Sequence, residues 1–120
     1  MKTLVKYSSL VLLASGYVLS FAFLRDQDLL VWIHILLGFG YTVLFLLFSF
    51  DHVMANKDKL LTLSNRSVIG TLQLSLGAVV LITGFVIYLY GSKVISPWSE
   101  IHFWSTLGFT FSSFFHFFTR

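Results

Sequence analysis

No cysteine occurs in the chain. That excludes disulfides, thiolate-held zinc, iron–sulfur clusters and covalent attachment of a c-type haem. There is one proline, Pro97, so little in the sequence interrupts long helices. Charge is scarce as well: Lys, Arg, Asp and Glu make up 11% of the residues, where a soluble domain carries about 25%. Every one of these charges lies outside four stretches, Tyr7–Leu24, Leu29–Phe50, Ser67–Ser92 and Ile101–Thr119. The formal net charge is +3, and no basic cluster is large enough for a nucleic-acid surface, so no nucleic-acid partner is expected.

What fills the uncharged stretches is apolar: 57% of the chain is hydrophobic, with 14 Phe. Each stretch is at least 18 residues long, and about 20 apolar residues in a helix span the hydrocarbon core of a bilayer. Buried helices of a soluble bundle would need a polar face, which these stretches lack. The sequence therefore predicts an all-α integral membrane protein. The expected fold is a four-helix bundle forming a single transmembrane domain over 1–120, with helices at about 4–24, 28–51, 66–91 and 98–118. Lys2 and Lys6 before the first stretch resemble the basic start of a signal peptide. The apolar run ends in Phe23, Leu24 and Arg25 without a small-residue cleavage site, so it is read as the first helix.

Lys and Arg accumulate on the cytoplasmic side of membrane helices. Lys2, Lys6, Lys57, Lys59, Arg66 and Arg120 share one side if the chain crosses four times; Arg25 and Lys93 share the other with Asp26, Asp28 and Glu100. Both termini are thus expected in the cytoplasm. The connections between helices 1 and 2 and between helices 3 and 4 are short, which makes each pair an antiparallel hairpin. Pro97 sits just before helix 4, where a missing N–H does no harm.

The two halves align without gaps at an offset of 68 residues. Ser15-Gly16-Tyr17-Val18 lies over Thr83-Gly84-Phe85-Val86, Ile33-His34 over Ile101-His102, Gly40 over Gly108, and Thr42 over Thr110. Two hairpins of the same orientation make a parallel repeat.

Ionisable residues in membrane spans point to function, and the four histidines sort by depth. His34 and His102 lie near the starts of helices 2 and 4; His52 and His116 lie toward the opposite ends. At about 100° per residue, the 18-residue and 14-residue spacings put both histidines of each helix on roughly one face, about 27 Å and 21 Å apart. Two such helices can offer two bis-imidazole sites. Zinc would take three or four ligands at one place, whereas haem iron takes two axial ligands from opposite helices. The expected metal and cofactor ligands are therefore His34 with His102, and His52 with His116, holding two non-covalent b haems; the alternative for each histidine is anchoring near the headgroups. Gly16, Gly40, Gly84 and Gly108, the glycines matched by the repeat, would let porphyrin edges approach the backbone. Gly38 and Gly77 fit that role or plain small-residue helix packing.

The stretch Thr83-Gly84-Phe85, with Ile101-His102, Gly108 and His116, resembles the bacterial four-helix di-haem cytochromes b. These include the membrane cytochrome b subunits of formate dehydrogenases and nickel–iron hydrogenases. The resemblance implies a bacterial inner-membrane location, two haems and electron exchange with quinone or with a partner redox subunit. The 18 residues from His34 to His52 depart from the 14-residue pattern of the second half; the repeat places Phe48, not His52, at the matching position. Arg25, Lys93, Lys57, Lys59, Arg66 and Arg120 are candidates to pair with propionates, or else topology charges at the headgroups. Gln73, with Asn65 and Ser67, is a candidate quinone contact, or a helix–helix hydrogen bond. So little loop remains that a partner subunit or a homo-oligomer is expected. The competing expectations are a haem-free structural or assembly subunit and, with less support, a small transporter.

Overall fold

The computed structural model of the chain describes residues 2–21, 28–60, 62, 64–90 and 97–118. Within them the regular structure is four helices and no strand: α1 (Lys2–Ser20), α2 (Asp28–Leu60), α3 (Asn65–Tyr90) and α4 (Trp98–Phe118).

The helix ends follow from local chemistry. Helix α1 stops at Ser20, and Phe21 is already turned, its N–H donating to the Val18 carbonyl. The expected end at residue 24 lies outside the described residues. Helix α2 starts with Asp28 in its first turn and ends with Lys57 and Lys59 in its last, both complementing the helix dipole. It runs well past residue 51, where the apolar run stops. His52–Leu60 contains no glycine or proline, so the helix has reason to leave the apolar region without ending. Its one break is at Asn56, at φ −125° and ψ 15°. There the side-chain amide donates to the His52 carbonyl at 2.8 Å, the acceptor that a helix normally offers to the backbone four residues on. Ser64 caps α3: its hydroxyl accepts from Ser67 N–H and its carbonyl from Val68 N–H. Pro97 opens α4, its carbonyl accepting from Ile101 N–H, with Glu100 in the first turn.

Among the described residues, three helices are long and apolar enough to cross a membrane, over Thr3–Ser20, Asp28–Lys59 and Ser67–Tyr90. Helix α4 was expected as a fourth span of the same kind. It has the length, 21 residues, but is less apolar, because His102, His116 and six Ser and Thr residues interrupt its aromatic run. Most of those hydroxyls turn back on the helix's own carbonyls: Ser105 donates to Ile101, Thr106 to His102, Thr110 to Thr106 and Ser112 to Phe109.

Much large apolar surface points outward, and the buried positions are shared between apolar side chains, Val5, Leu13, Tyr41, Phe45 and Phe109, and small hydroxyls. Leu29 is 72% exposed, Phe50 68% and Trp104 67%, while Ser9, Thr83, Ser105, Ser112 and Ser113 are buried. Large apolar groups outside and small hydroxyls at helix contacts suit lipid surroundings, where close helix approach and internal hydrogen bonds hold the structure.

The chain divides into two compact units, Met1–Asp51 and His52–Arg120. In the first, α1 and the apolar part of α2 form an antiparallel hairpin, with Ser15 beside His34 and Leu12 beside Gly38. Tyr41 and Phe45 are buried one turn apart, ring centroids 5.8 Å from each other. In the second, α3 and α4 form the matching hairpin, closed by Thr83 and Gly84 at His102, Leu76 at Gly108, Gln73 at Ser113 and Gly70 at His116.

Candidate functional site

In the first hairpin, His34 comes from the second turn of α2 and meets α1 at Ser15 and Gly16. Ser15 Oγ donates to the Leu12 carbonyl at 2.7 Å and lies 2.8 Å from His34 Nδ1. A hydroxyl has one proton. With that proton on Leu12, the contact to the ring has the imidazole Nδ1–H as donor and Ser15 Oγ as acceptor. Gly16 provides the room: a Cβ there would stand 3.2 Å from His34 Cε1.

The second hairpin repeats the arrangement. Thr83 Oγ1 donates to the Val79 carbonyl at 2.7 Å and lies 3.0 Å from His102 Nδ1; the Val80 carbonyl is also 3.0 Å from that nitrogen. A carbonyl only accepts, so His102 Nδ1 carries the proton. A Cβ on Gly84 would stand 3.1 Å from His102 Cε1. Subtracting 68 from Thr83, Gly84 and His102 gives Ser15, Gly16 and His34. The internal repeat is therefore a repeat of contacts as well as of letters.

The consequence is chemical. An imidazole protonated at Nδ1 has its lone pair on Nε2, the form in which histidine binds a metal, and a hydrogen bond from Nδ1–H fixes the ring and raises its basicity. The Val80 carbonyl calls for that form at His102, and at His34 it is the form that leaves the Ser15 proton on the Leu12 carbonyl.

The other predicted residues fall as follows. His116, in the last turn of α4, faces Gly70, whose Cβ would be 3.9 Å from its Cε1. Gly70 and Gly84 are 14 residues apart, as are His116 and His102, so both α4 histidines meet a glycine of α3. His52 accepts the Asn56 side-chain bond at its carbonyl and is half-buried. The space beside Gly108 is filled by Leu76, whose Cδ1 would be 3.3 Å from an added Cβ, while nothing stands within 4 Å at Gly40; the matching position on α1 is the smaller Ser8. A groove of about 340 Å³ runs past Gly108 between Leu72, Leu76, Phe111 and Phe115, and no histidine lines it. Gln73 donates to Ser113 Oγ at 3.1 Å, joining α3 to α4. Lys57 and Lys59 are exposed. Arg25, Lys93 and Arg120 lie outside the described residues, as does the side chain of Arg66. Among the described residues no group of three or more His, Asp and Glu could hold a metal ion.

Sequence reasoning missed Ser15 and Thr83 as imidazole partners, and Gly70 as the neighbour of His116. The signal for the first two was present, since the repeat sets Ser15-Gly16 over Thr83-Gly84, each 19 residues before its histidine. No family model, curated protein or solved structure matches the chain.

Proposed function

We propose that the chain is a membrane b-type cytochrome of the four-helix di-haem kind. Two haems would be held by imidazoles from α2 and α4, His34 with His102 and His52 with His116. The observation that supports this most is the paired module: two histidines, one in each hairpin, each with Nδ1 against a hydroxyl and its ring beside a glycine at the same offset.

The chemistry of the donor set suits the group. Haem iron takes two neutral imidazole Nε2 ligands and needs no third protein ligand, and the chain offers histidines in pairs with no thiolate. Bound in this way, haem would supply one-electron transfer. The protein's part is to hold the imidazoles, fix their protons and surround them with apolar helix. In this reading α4 crosses the membrane with the other three helices. Its polar atoms are satisfied internally, and both termini lie on the cytoplasmic face of a bacterial inner membrane. Quinone, or a redox subunit docked on the exposed apolar surface, would exchange the electrons; a homo-oligomer is the other arrangement.

The test is spectroscopic. Protein expressed with ample haem and purified in detergent is expected to be red, with a reduced-minus-oxidised spectrum of low-spin b haem and two haems per chain. His34→Ala and His102→Ala should each remove the same one of the two. A colourless preparation would overturn the proposal and leave a haem-free structural or assembly subunit.

A further inference from the structure

We infer that the groove between α3 and α4 seats an acyl chain of an anionic phospholipid, with the end of α2 holding the headgroup. The inference goes beyond the haem reading and is independent of it. It requires only that α3 crosses a bilayer, for which it is long and apolar enough, and that α4 packs beside it, as the contacts from Gly70 to Gly84 show.

The groove holds about 340 Å³. Its walls are Ile69, Leu72 and Leu76 of α3 and Phe111 and Phe115 of α4, and its lining is almost wholly apolar. It opens outward, since Leu72, Phe111 and Phe115 are each half exposed or more. Its length suits one leaflet. From Ile69 to Leu76 the helix rises about 10 Å, against about 15 Å for half of the hydrocarbon core. Spread over that length, the volume makes a channel roughly 6 Å across, too narrow for a whole helix of about 10–12 Å and wide enough for one hydrocarbon chain. Ile69 lies just inside the start of the span Ser67–Tyr90, so the groove begins near the membrane surface and runs toward the middle.

Its outer end lies beside a basic segment. Ser67, just before Ile69, donates its hydroxyl proton to the Lys59 carbonyl at 3.0 Å. The Thr62 N–H and hydroxyl donate to the same oxygen. These bonds tie the end of α2, where Lys57 and Lys59 are exposed, to the start of α3. From Lys57 to Ser67 the sequence has three positive charges, Lys57, Lys59 and Arg66, against one negative, Asp58. A lysine lays its stem along apolar surface and holds its ammonium at headgroup level, where it attracts anionic lipid. The repeat does not supply the walls twice: at the 68-residue offset, Phe111 and Phe115 lie over Val43 and Leu47, and Leu76 over Ser8. The second hairpin thus combines aromatic walls with a basic outer end.

The experiment uses the full chain in detergent micelles supplied with phosphatidylglycerol and phosphatidylcholine of the same acyl chains in equal amounts. Native mass spectrometry reads what each molecule retains. The unaltered protein is expected to keep phosphatidylglycerol in preference. Lys59→Gln should lower that preference roughly fivefold, the worth of one lysine near a membrane surface, and leave phosphatidylcholine retention unchanged. Phe111→Ala should lower retention of both lipids. Ile82→Ala is the control: it truncates a side chain 61% exposed on α3, close to the 66% of Phe111, and Ile82 does not line the groove, so retention should stay as it was. Helix content by circular dichroism separates these effects from misfolding. Equal retention of the two lipids by the unaltered protein, or the same retention in Phe111→Ala as in Ile82→Ala, would overturn the assignment. So would retention of a long-tailed quinone in place of phospholipid, or a dimer that Phe111→Ala separates, which would give the groove to a second copy. The masses are read with or without haem, so a colourless preparation defeats the cytochrome proposal and leaves this test standing.

Discussion

His102 lies so close to Gly84 that a single methyl group at position 84 would stand 3.1 Å from the ring carbon Cε1, in hydrogen-bonded surroundings that do not let the ring swing away without loss. The Thr83 hydroxyl and the Val80 carbonyl hold Nδ1 from the α3 side. To admit a methyl group the ring must give by a few tenths of an ångström against these acceptors.

The first prediction concerns the glycines that face imidazoles. Gly84→Ala and Gly16→Ala, at 3.1 Å and 3.2 Å, should each displace a histidine and lower the haem content by one per chain, at an overpacking cost of about 1–3 kcal/mol. Gly70→Ala, at 3.9 Å from His116, is ordinary van der Waals contact and should leave the haem content unchanged. A haem assay on the three purified variants checks the contrast.

Gly40 and Gly108 occupy equivalent positions in the repeat but different surroundings. Alanine at Gly40 meets nothing within 4 Å, so it should stabilise the helix by about 1 kcal/mol through propensity alone. Alanine at Gly108 must move Leu76 by a few tenths of an ångström, and the gain should be cancelled or reversed. Thermal melts followed by circular dichroism in detergent would show the difference as a higher midpoint for Gly40→Ala than for Gly108→Ala.

Gln73 invites a functional reading as a polar residue in a membrane helix, yet its amide donates to Ser113 on the facing helix. Gln73→Leu should therefore cost about 0.6 kcal/mol, the average for such interhelical bonds, and leave the reaction of reduced protein with a soluble quinone analogue unaltered. Loss of quinone reactivity with stability unchanged would return Gln73 to the role of a quinone contact.

The elements were legible because charge in this chain is so strictly excluded from the spans. The gaps between charges placed the helices, the short connections paired them into hairpins, and the offset of 68 related one hairpin to the other. Two features escaped for physical reasons. Helix α2 continues to Leu60 because the end of an apolar run marks the edge of the lipid, not the end of backbone hydrogen bonding; nothing in His52–Leu60 stops a helix. The lower apolarity of α4 was hidden by using formal charge as the marker. Ile101–Thr119 has none, but its histidines and hydroxyls are polar all the same. Of the contacts that the structure shows, the histidine–glycine pairs His34 with Gly16 and His102 with Gly84 join residues that the sequence had singled out. The hydroxyl partners could not be, since Ser and Thr are common in the helices and only their distance to Nδ1 singles out Ser15 and Thr83. The spacing that would have exposed them, 19 residues to a histidine in both halves, acquires meaning only once the hairpin register is known.

The last prediction decides whether α4 crosses the bilayer. Three helices meet the length and apolarity needed for a span; with only those three crossing, the two ends of the chain would lie on opposite sides. With α4 crossing as well, they lie on the same side. The absence of cysteine makes the distinction easy to measure, because a single introduced thiol is the only one in the molecule. Single variants Thr3→Cys, Lys59→Cys, Ser99→Cys and Thr119→Cys, probed with a membrane-impermeant maleimide on intact spheroplasts and on inverted vesicles, give the sidedness directly. Position 59 is exposed beyond the apolar part of α2, and position 99 lies in the first turn of α4. The expected pattern is labelling of 3, 59 and 119 from the cytoplasmic side and of 99 from the other. Labelling of 99 and 119 from one side would place α4 along the interface. His102 and His116, about 21 Å apart on that helix, would then sit at the same depth, and a haem near each membrane face could not be built from them.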